Sequence, residues 1–315
     1  MTNKPVIIVT GADLAPEALA LLGDYALVFA GRTPQTADLV ALARQHNPVG
    51  IIVRYGSVTA EVMDAAPALK VISKHGTGTD TIDKAAAQAR GITVTAAAGA
   101  NAAAVAEHAL ALMLACAKSV VTLDARMHAG HWDKATHKSL ELNGLTVGLV
   151  GLGAIGRRFA RMCEAIGMRV IGFDPFATDL PGYVEAVPLE TIWEASDVIS
   201  LQCPLTAENK NLVNAATLAR CKPGVILINT ARGGLIDEAA LLEAVQCGRV
   251  AAAGLDSFAQ EPMATPHMFQ RQPGFVLSPH IGGVTSAAYV NMGVAAATNT
   301  LAVLNQVREP AAGQQ

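Results

Sequence analysis

The sequence predicts an α/β protein built from two doubly wound parallel-sheet domains. Three observations predict it. Short continuous apolar runs alternate with helical patterns from the start to about residue 100, and the same alternation restarts after Asn143-Gly144. The chain has 315 residues, room for two domains at about 150 residues each. Hydrophobic types make up 51% and charged types 16%, which suits large buried cores and argues against extended disorder.

In the first stretch, Val6–Val9, Leu27–Phe29, Gly50–Val53, Val71–Ser73 and Thr93–Thr95 read as strands. They are continuous rather than alternating, the signature of strands buried on both faces. Between them Ala15–Leu22, Ala37–Arg44, Ala60–Ala66 and Asp83–Arg90 read as helices, with Gly91 as the stop of the last. Residues Ala102 to Lys118 form a long Ala/Leu/Met helix that sets Glu107 beside His108. The polar stretch Asp124 to Asn143 has Trp132, three histidines and little periodicity, and reads as a loop.

The second alternation places strands at Thr146–Val150, Arg169–Phe173, Val198–Leu201, Val225–Asn229, Ala251–Leu255 and Phe275–Leu277. Its helices are Ile155–Ile166, Ala215–Arg220 and Glu238–Gln246, and a last helix, Ser286 to Val307, is long enough to return to the first domain. There is no internal repeat, and the only low-complexity tract is Ala311–Gln315.

Composition bounds the partners. Lys plus Arg is 23 against 26 for Asp plus Glu, a net charge of −3, with no basic excess to meet a nucleic-acid backbone. Val6–Val9 is too brief for a signal-peptide core and no run reaches the 18 or so apolar residues of a membrane span, so a cytoplasmic, non-membrane protein is expected. The five cysteines (Cys116, Cys163, Cys203, Cys221, Cys247) are odd in number and widely spaced, and read as small buried hydrophobes rather than disulfides or zinc ligands. His128, His131 and His137 match no compact ligand spacing, and no metal is expected.

Gly151-Leu152-Gly153-Ala154-Ile155-Gly156 is a G-x-G-x-x-G run between a strand and a helix. A second strand follows and closes on Asp174, 18 residues past the last glycine. The first glycine permits the tight turn, the second lets a pyrophosphate approach the backbone, and the third packs helix on strand, as in a Rossmann dinucleotide-binding unit. Asp174 can accept hydrogen bonds from a ribose diol and would repel a 2′-phosphate, and residues 175–179 hold no Arg or Lys, so NAD is expected over NADP.

Three further segments put titratable groups just past strand ends, where open parallel sheets bind ligands. They are Asn229-Thr230-Ala231-Arg232-Gly233-Gly234, Asp256 to Glu261-Pro262, and Ser278-Pro279-His280-Ile281-Gly282-Gly283. Singly each has a bland reading as a solvated loop charge or a core histidine; downstream of a dinucleotide fingerprint they read together as a site.

Here the chain resembles the D-isomer-specific 2-hydroxyacid dehydrogenases, most closely those that act on 3-phosphoglycerate. KHGTGTDTID, VAEHALALML, VGLVGLGAIG, CPLT, INTARGG, the Asp256 to Pro262 segment and SPHIGG stand in the family's order across nearly the whole chain. The resemblance implies a Rossmann NAD-binding domain, 101–285, inserted in a discontinuous flavodoxin-like substrate-binding domain, 1–100 plus 286–315, with the active site in the cleft between them. It implies that His280 is the general acid/base, that Glu261 orients its ring and raises its pKa, and that Arg232 grips the 2-oxo acid and polarises its carbonyl. It extends the cofactor site to Gly151, Gly153, Ala154, Ile155, Gly156, Asp174, Pro204, Thr230, Ala231 and Asp256, the last holding the nicotinamide carboxamide. Backbone amides around Gly76-Thr77-Gly78 would cradle the substrate carboxylate. Arg54 and Lys74 end neighbouring strands beside that cradle, and in the resembling enzymes a basic residue at the position of Arg54 meets a substrate phosphate.

The implied reaction is hydride transfer between NAD(H) and a D-2-hydroxy acid or its 2-oxo acid, with 3-phosphoglycerate as the first substrate and glyoxylate, hydroxypyruvate or another 2-oxo acid as the alternative. A different class, an NAD(H)-sensing co-repressor, shares the fold but carries extra terminal tails. Formate dehydrogenases pair the histidine with Gln, where this chain has Glu261. Two departures from the family pattern touch the cofactor pocket: Ser257 stands where Val is usual and Gln202 where His is frequent. The family uses the long helix and the arm after it to form a dimer, with Trp132 suited to an anchor, so a homodimer is expected. The chain ends at 315, and a regulatory amino-acid-binding domain is not expected within it.

Overall fold

A computed structural model describes residues 4–308, so the Ala311–Gln315 tract lies outside the described residues. The chain divides into two compact units, Met1–Asn101 with Val284–Gln315, and Ala102–Gly283.

The first unit is a five-stranded sheet in the order β2-β1-β3-β4-β5, all parallel: β1 (Val6–Val9), β2 (Ala26–Phe29), β3 (Gly50–Val53), β4 (Val71–Lys74) and β5 (Thr93–Ala96). That order is the flavodoxin-like doubly wound one, whose direction reverses between β1 and β3. The strands are continuous apolar runs because both faces are covered: Ile8, Ile51 and Ile72 face one core cluster, and Ile7, Ile52 and Val71 the other. Helices α1 (Pro16–Leu21), α2 (Thr36–His46), α3 (Ala60–Asp64) and α4 (Lys84–Ala89) supply the cover, each within two residues of its predicted bounds.

The last helix, Ser286–Arg308, closes the second core through Ala296, Ala297 and Leu304. By length and composition alone its Ser286–Gln306 portion could cross a membrane, with a mean hydropathy of 1.3. It contains no uninterrupted apolar run of that length, and it packs on α1, β3, β4 and β5 with Thr300 fully buried.

The second unit opens with α5 (Ala102–Lys118) and α6 (Val120–His128) and continues through a seven-stranded parallel sheet ordered β12-β11-β10-β9-β6-β7-β8. Its strands are β6 (Thr146–Val150), β7 (Arg169–Phe173), β8 (Val184–Ala186), β9 (Val198–Leu201), β10 (Val225–Asn229), β11 (Val250–Leu255) and β12 (Phe275–Leu277). Helices α7 (Ala154–Ala165), α8 (Leu189–Ala195), α9 (Ala215–Arg220) and α10 (Glu238–Gln246) connect them.

Three expectations are corrected. The segment read as loop from Asp124 begins inside a helix, α6, none of whose residues is buried; its apolar side chains meet no core, so they leave no periodic stripe. The elements β8 and α8 went unread because β8 is a three-residue edge strand paired only with β7. Finally, Cys247 caps α10 and is exposed, and Cys203 is only partly covered, while Cys116, Cys163 and Cys221 are buried as expected.

Candidate active site

In the second unit the chain leaves β6 toward β7 and β8 on one side, then returns to place β9 on the other. Val150 and Leu201 end these neighbouring strands side by side, so the residues after them border the crevice where doubly wound sheets bind ligands. Gly151 follows β6 with φ +103°, and a Cβ there would lie 2.6 Å from the Gln202 backbone, so only glycine fits. Gly156 packs equally closely, its Cβ position lying 2.2 Å from the Gly151 carbonyl oxygen.

Gly153 is different. It caps α7 with no side-chain hydrogen bond, and a Cβ there would meet nothing within 4 Å. Nothing in the chain forbids a side chain at 153; the space kept open lies at the N-terminus of α7, where Ala154, Ile155 and Gly156 present their amides. That space and those donors fit a dinucleotide pyrophosphate.

Asp174, just past β7, accepts from the Leu152 amide at 2.8 Å and from the Phe176 amide at 2.9 Å, so its carboxylate is fixed to the glycine turn with acceptor capacity to spare for a ribose diol. Arg157 is the nearby cation that inspection of residues 175–179 passes over. It donates to the carbonyls of Leu152, Thr178 and Asp179, which commits it to holding this loop. Gln202 donates to the hydroxyls of Ser200 and Thr230, both at 3.0 Å, tying the β9 and β10 ends together, and the Pro204 carbonyl accepts from Asn209 at 2.8 Å.

Arg232 follows β10. Fully buried Asn229 shapes its turn, donating to the Arg232 carbonyl at 2.9 Å and accepting from the Ala231 amide at 3.0 Å. The Arg232 side chain donates back to the Ala231 carbonyl at 2.7 Å. Beyond β11, Glu261 accepts from the Phe258 amide at 2.9 Å with one oxygen and holds His280 Nδ1 at 2.6 Å with the other. His280 sits past β12 with φ +53°.

The electrostatics follow from this geometry. The hydrogen bond that His280 donates to Glu261 holds the His280 pKa above the ordinary imidazole value; burial and the Arg232 charge oppose it and are outweighed. Burial works to raise the Glu261 carboxyl, but the hydrogen bonds from His280 and Phe258 prevail and hold it below the usual value. Arg232, Glu261 and His280 thus form one interacting group, able to donate a proton, accept one and bind an anion.

Asp256 is almost fully buried and accepts from the Ile281 amide at 2.9 Å, the Gly282 amide at 2.8 Å and the Ser278 hydroxyl at 2.6 Å. Most of its acceptor capacity is therefore used within the chain, on the loop that carries His280. Reading the sequence assigned Asp256 outward and missed both this clamp and Asn229. Their signal was present only as short polar residues at strand ends, which many loops share.

The remaining expected residues lie on the first unit. Thr10, after β1, accepts from the Arg54 amide at 2.9 Å, which ties the chain ends of β1 and β3 at that sheet's reversal point. The Arg54 guanidinium lies between the Tyr55 and Tyr289 rings, 5.3 and 5.0 Å from their centroids. Its Nη1 bonds the Asp13 carboxylate and the Asp13 carbonyl, and Asp13 also accepts from the Tyr289 hydroxyl at 2.9 Å. Lys74 donates to the Arg54 carbonyl at 3.1 Å. Gly76 has φ +146°, Thr77 donates to Asn101 at 3.1 Å, and Gly78 is half-buried. The histidines of α6 and the following arm gather no ligand set: His128 lies 3.7 Å from Asp124 and His137 bonds Ser139. Among the described residues no group of three His, Cys, Asp or Glu is placed to hold a metal.

Known proteins resemble the chain over most of its length. Residues 110–282 match the family model described as D-isomer specific 2-hydroxyacid dehydrogenase, NAD binding domain. A D-3-phosphoglycerate dehydrogenase of Mycobacterium tuberculosis is 38% identical over 290 residues, which is 91% of this chain and 54% of that protein. The chain thus spans about half the length of the phosphoglycerate dehydrogenases it matches. A hydroxypyruvate reductase of Thermotoga maritima is 43% identical over 241 residues, 75% of this chain and 78% of that protein. Among solved structures, a protein of Thermus thermophilus superposes with a TM-score of 0.87 at 38% identity, covering 96% of this chain and 97% of the other.

Proposed function

We propose that this chain, which belongs to the D-isomer-specific 2-hydroxyacid dehydrogenase family, catalyses NAD-dependent interconversion of a D-2-hydroxy acid and its 2-oxo acid. The observation that carries the reading is the His280–Glu261 hydrogen bond at 2.6 Å within reach of the Arg232 charge. When bound, NAD(H) supplies or accepts the hydride. The residues that would hold it are Gly151 to Gly156, with Pro204, Thr230 and Ala231 along the same strand ends and Asp174 on the ribose; Asp256 would reach the carboxamide with whatever acceptor capacity its loop contacts leave. In reduction, His280 gives its Nε2 proton to the carbonyl oxygen while Glu261 steadies the ring through Nδ1; in oxidation the neutral imidazole takes the hydroxyl proton. Arg232 binds the substrate carboxylate and carbonyl oxygen, favouring the charge that builds on that oxygen.

On the first unit, amides at Gly76, Thr77 and Gly78 serve the substrate carboxylate, and Arg54 with Lys74 serves a distal phosphate, which makes 3-phosphoglycerate the first substrate to test. Arg54 makes its hydrogen bonds through Nη1, and among the described residues Nε and Nη2 have no partner, so they remain for an anion. One observation favours a second reading, an unphosphorylated acid such as hydroxypyruvate or glyoxylate: Asp13 already neutralises Arg54. A screen following NADH absorbance with phosphohydroxypyruvate, hydroxypyruvate, glyoxylate and bulkier 2-oxo acids, repeated with NADPH, tests both levels. Turnover of no 2-oxo acid would overturn the reaction class, and equal use of NADPH would overturn the cofactor.

Among the described residues, five exposed apolar side chains lie on α6 and the arm after it: Val120, Val121, Met127, Trp132 (75% exposed) and Leu140. We assign this surface to a second copy of the chain in a homodimer, and the free cysteines suit a reducing, cytoplasmic setting. Light scattering on the native protein and on Trp132→Asp tests the dimer, which should dissociate in the variant.

A further inference from the structure

We propose that His108, on α5, positions the catalytic histidine through Ser278 and Asp256; the inference rests on the reading of His280 as acid and base. His108 Nε2 lies 2.8 Å from the Ser278 hydroxyl oxygen and 3.3 Å from Asp256 Oδ1. Ser278 donates its one hydrogen to Asp256 Oδ1 at 2.6 Å, because a carboxylate only accepts. The hydroxyl oxygen therefore receives its second bond from His108, which fixes the proton on Nε2. Asp256 in turn accepts from the amides of Ile281 and Gly282, the two residues after His280, and Ser278 stands two before it. The clamp thus grips the segment on both sides of His280.

The local backbone shows why a clamp is needed. His280 has φ +53°, a left-handed conformation that non-glycine residues keep only where their surroundings hold it. A Cβ at Gly282 would lie 2.9 Å from Asp256 Oδ2 and 3.3 Å from His108 Cδ2, so the loop backbone rests directly on these two side chains. His108 comes from the 17-residue helix α5, which packs against β11 and β12, the strands that lead into Asp256 and Ser278. A donor on that helix sets the loop against a rigid element, and small losses of alignment at a proton-transferring group lower turnover steeply. Two histidine–acid couples therefore stand in series: His280 with Glu261 for proton transfer, and His108 with Ser278 and Asp256 to aim it.

The test uses the full chain with its best substrate from the screen, comparing His108→Leu, His108→Gln and Ser278→Ala with His280→Ala as reference. In His108→Leu, kcat should fall about tenfold while the 2-oxo acid KM and the NADH Kd, read by fluorescence titration, change by less than about twofold. His108→Gln, whose amide N–H can reach Ser278, should restore most of the loss, and Ser278→Ala should show the same split as His108→Leu. The inference is overturned if kcat in His108→Leu stays native-like, if Gln rescues nothing, or if NADH binding weakens in proportion to kcat. Should circular dichroism show His108→Leu unfolded, Ser278→Ala decides by the same criteria. Native-like turnover in His280→Ala overturns the underlying mechanism instead; an inactive His280→Ala beside a native-like His108→Leu overturns only the role of His108.

Discussion

Each unit carries one histidine just past the carboxyl end of a parallel strand, and the two are held in opposite states. His280, after β12, pairs with Glu261 and has its pKa raised. His75, after β4, is buried against the Tyr289 ring 5.6 Å away, and its Nε2 has no hydrogen-bond partner among the described residues. Burial lowers its pKa to about 4, with further lowering from the Arg54 charge and less from Lys74. Strand-end position alone therefore does not make a histidine an acid or a base. The partner does: a carboxylate in one unit, two cations and an aromatic wall in the other.

Removing the working histidine tests the comparison most severely. His280→Ala should lower turnover by about two to four orders of magnitude while leaving NADH affinity nearly intact, because the substitution removes proton transfer and spares the glycine turn. His75→Gln should change turnover far less. If steady-state assays find the two substitutions equally damaging, the distinction between the histidines collapses.

The next effect separates the cations that depress His75 from the substrate they are assigned to. Arg54→Ala should reduce the preference for phosphohydroxypyruvate over hydroxypyruvate, in kcat/KM, by about ten- to a hundredfold, the worth of one charge-assisted hydrogen bond. An unchanged preference would leave Arg54 as a partner of Asp13 alone and favour the unphosphorylated substrates.

How much of this was legible in the sequence follows from range. The parallel strands were legible because burial on both faces leaves continuous apolar runs such as GIIV and VILIN, and the cofactor turn because each glycine of its fingerprint has its own steric or ligand reason. The trio Arg232, Glu261 and His280 came from short motifs in series. What stayed hidden depends on contacts that no local pattern encodes. The bond from His108 to Ser278 joins residues 170 apart, and the Asp13 bond to Tyr289 joins residues 276 apart. Helix α6 was hidden for the converse reason, since it has no buried residue to mark a face.

Glu261→Gln sharpens the comparison from the side of the raised histidine. Glu261 stabilises the imidazolium, so its neutral replacement should lower the His280 pKa. Reduction needs protonated His280, and its rate falls as pH rises through that pKa; the fall should move to lower pH in the variant. Oxidation needs the neutral ring, and its rise with pH should move to lower pH as well. pH profiles of kcat/KM in both directions check this, and a profile that stays in place would place the pKa control elsewhere.

The smallest expected effect belongs to His75, and it is one of stability. In the unfolded chain His75 titrates near 6.5, while in the native protein it does so at about 4. Above pH 6.5 neither state holds the proton. Between 6.5 and 4 the unfolded state binds it and the native state does not, so the native state loses stability as pH falls through this window, by at most about 3 kcal/mol in total. His75→Gln should flatten that part of the stability curve, measured by urea unfolding between pH 4 and 7. In Arg54→Ala the loss should begin at the same pH and be smaller, because removing the cation lets the native pKa rise toward its ordinary value; NMR titration of the His75 ring in the native and Arg54→Ala proteins reads that pKa directly. A His75 ring that titrates near 6.5 in the native protein would show that burial and the neighbouring cations leave it unshifted, and with it would go the contrast between the two histidines.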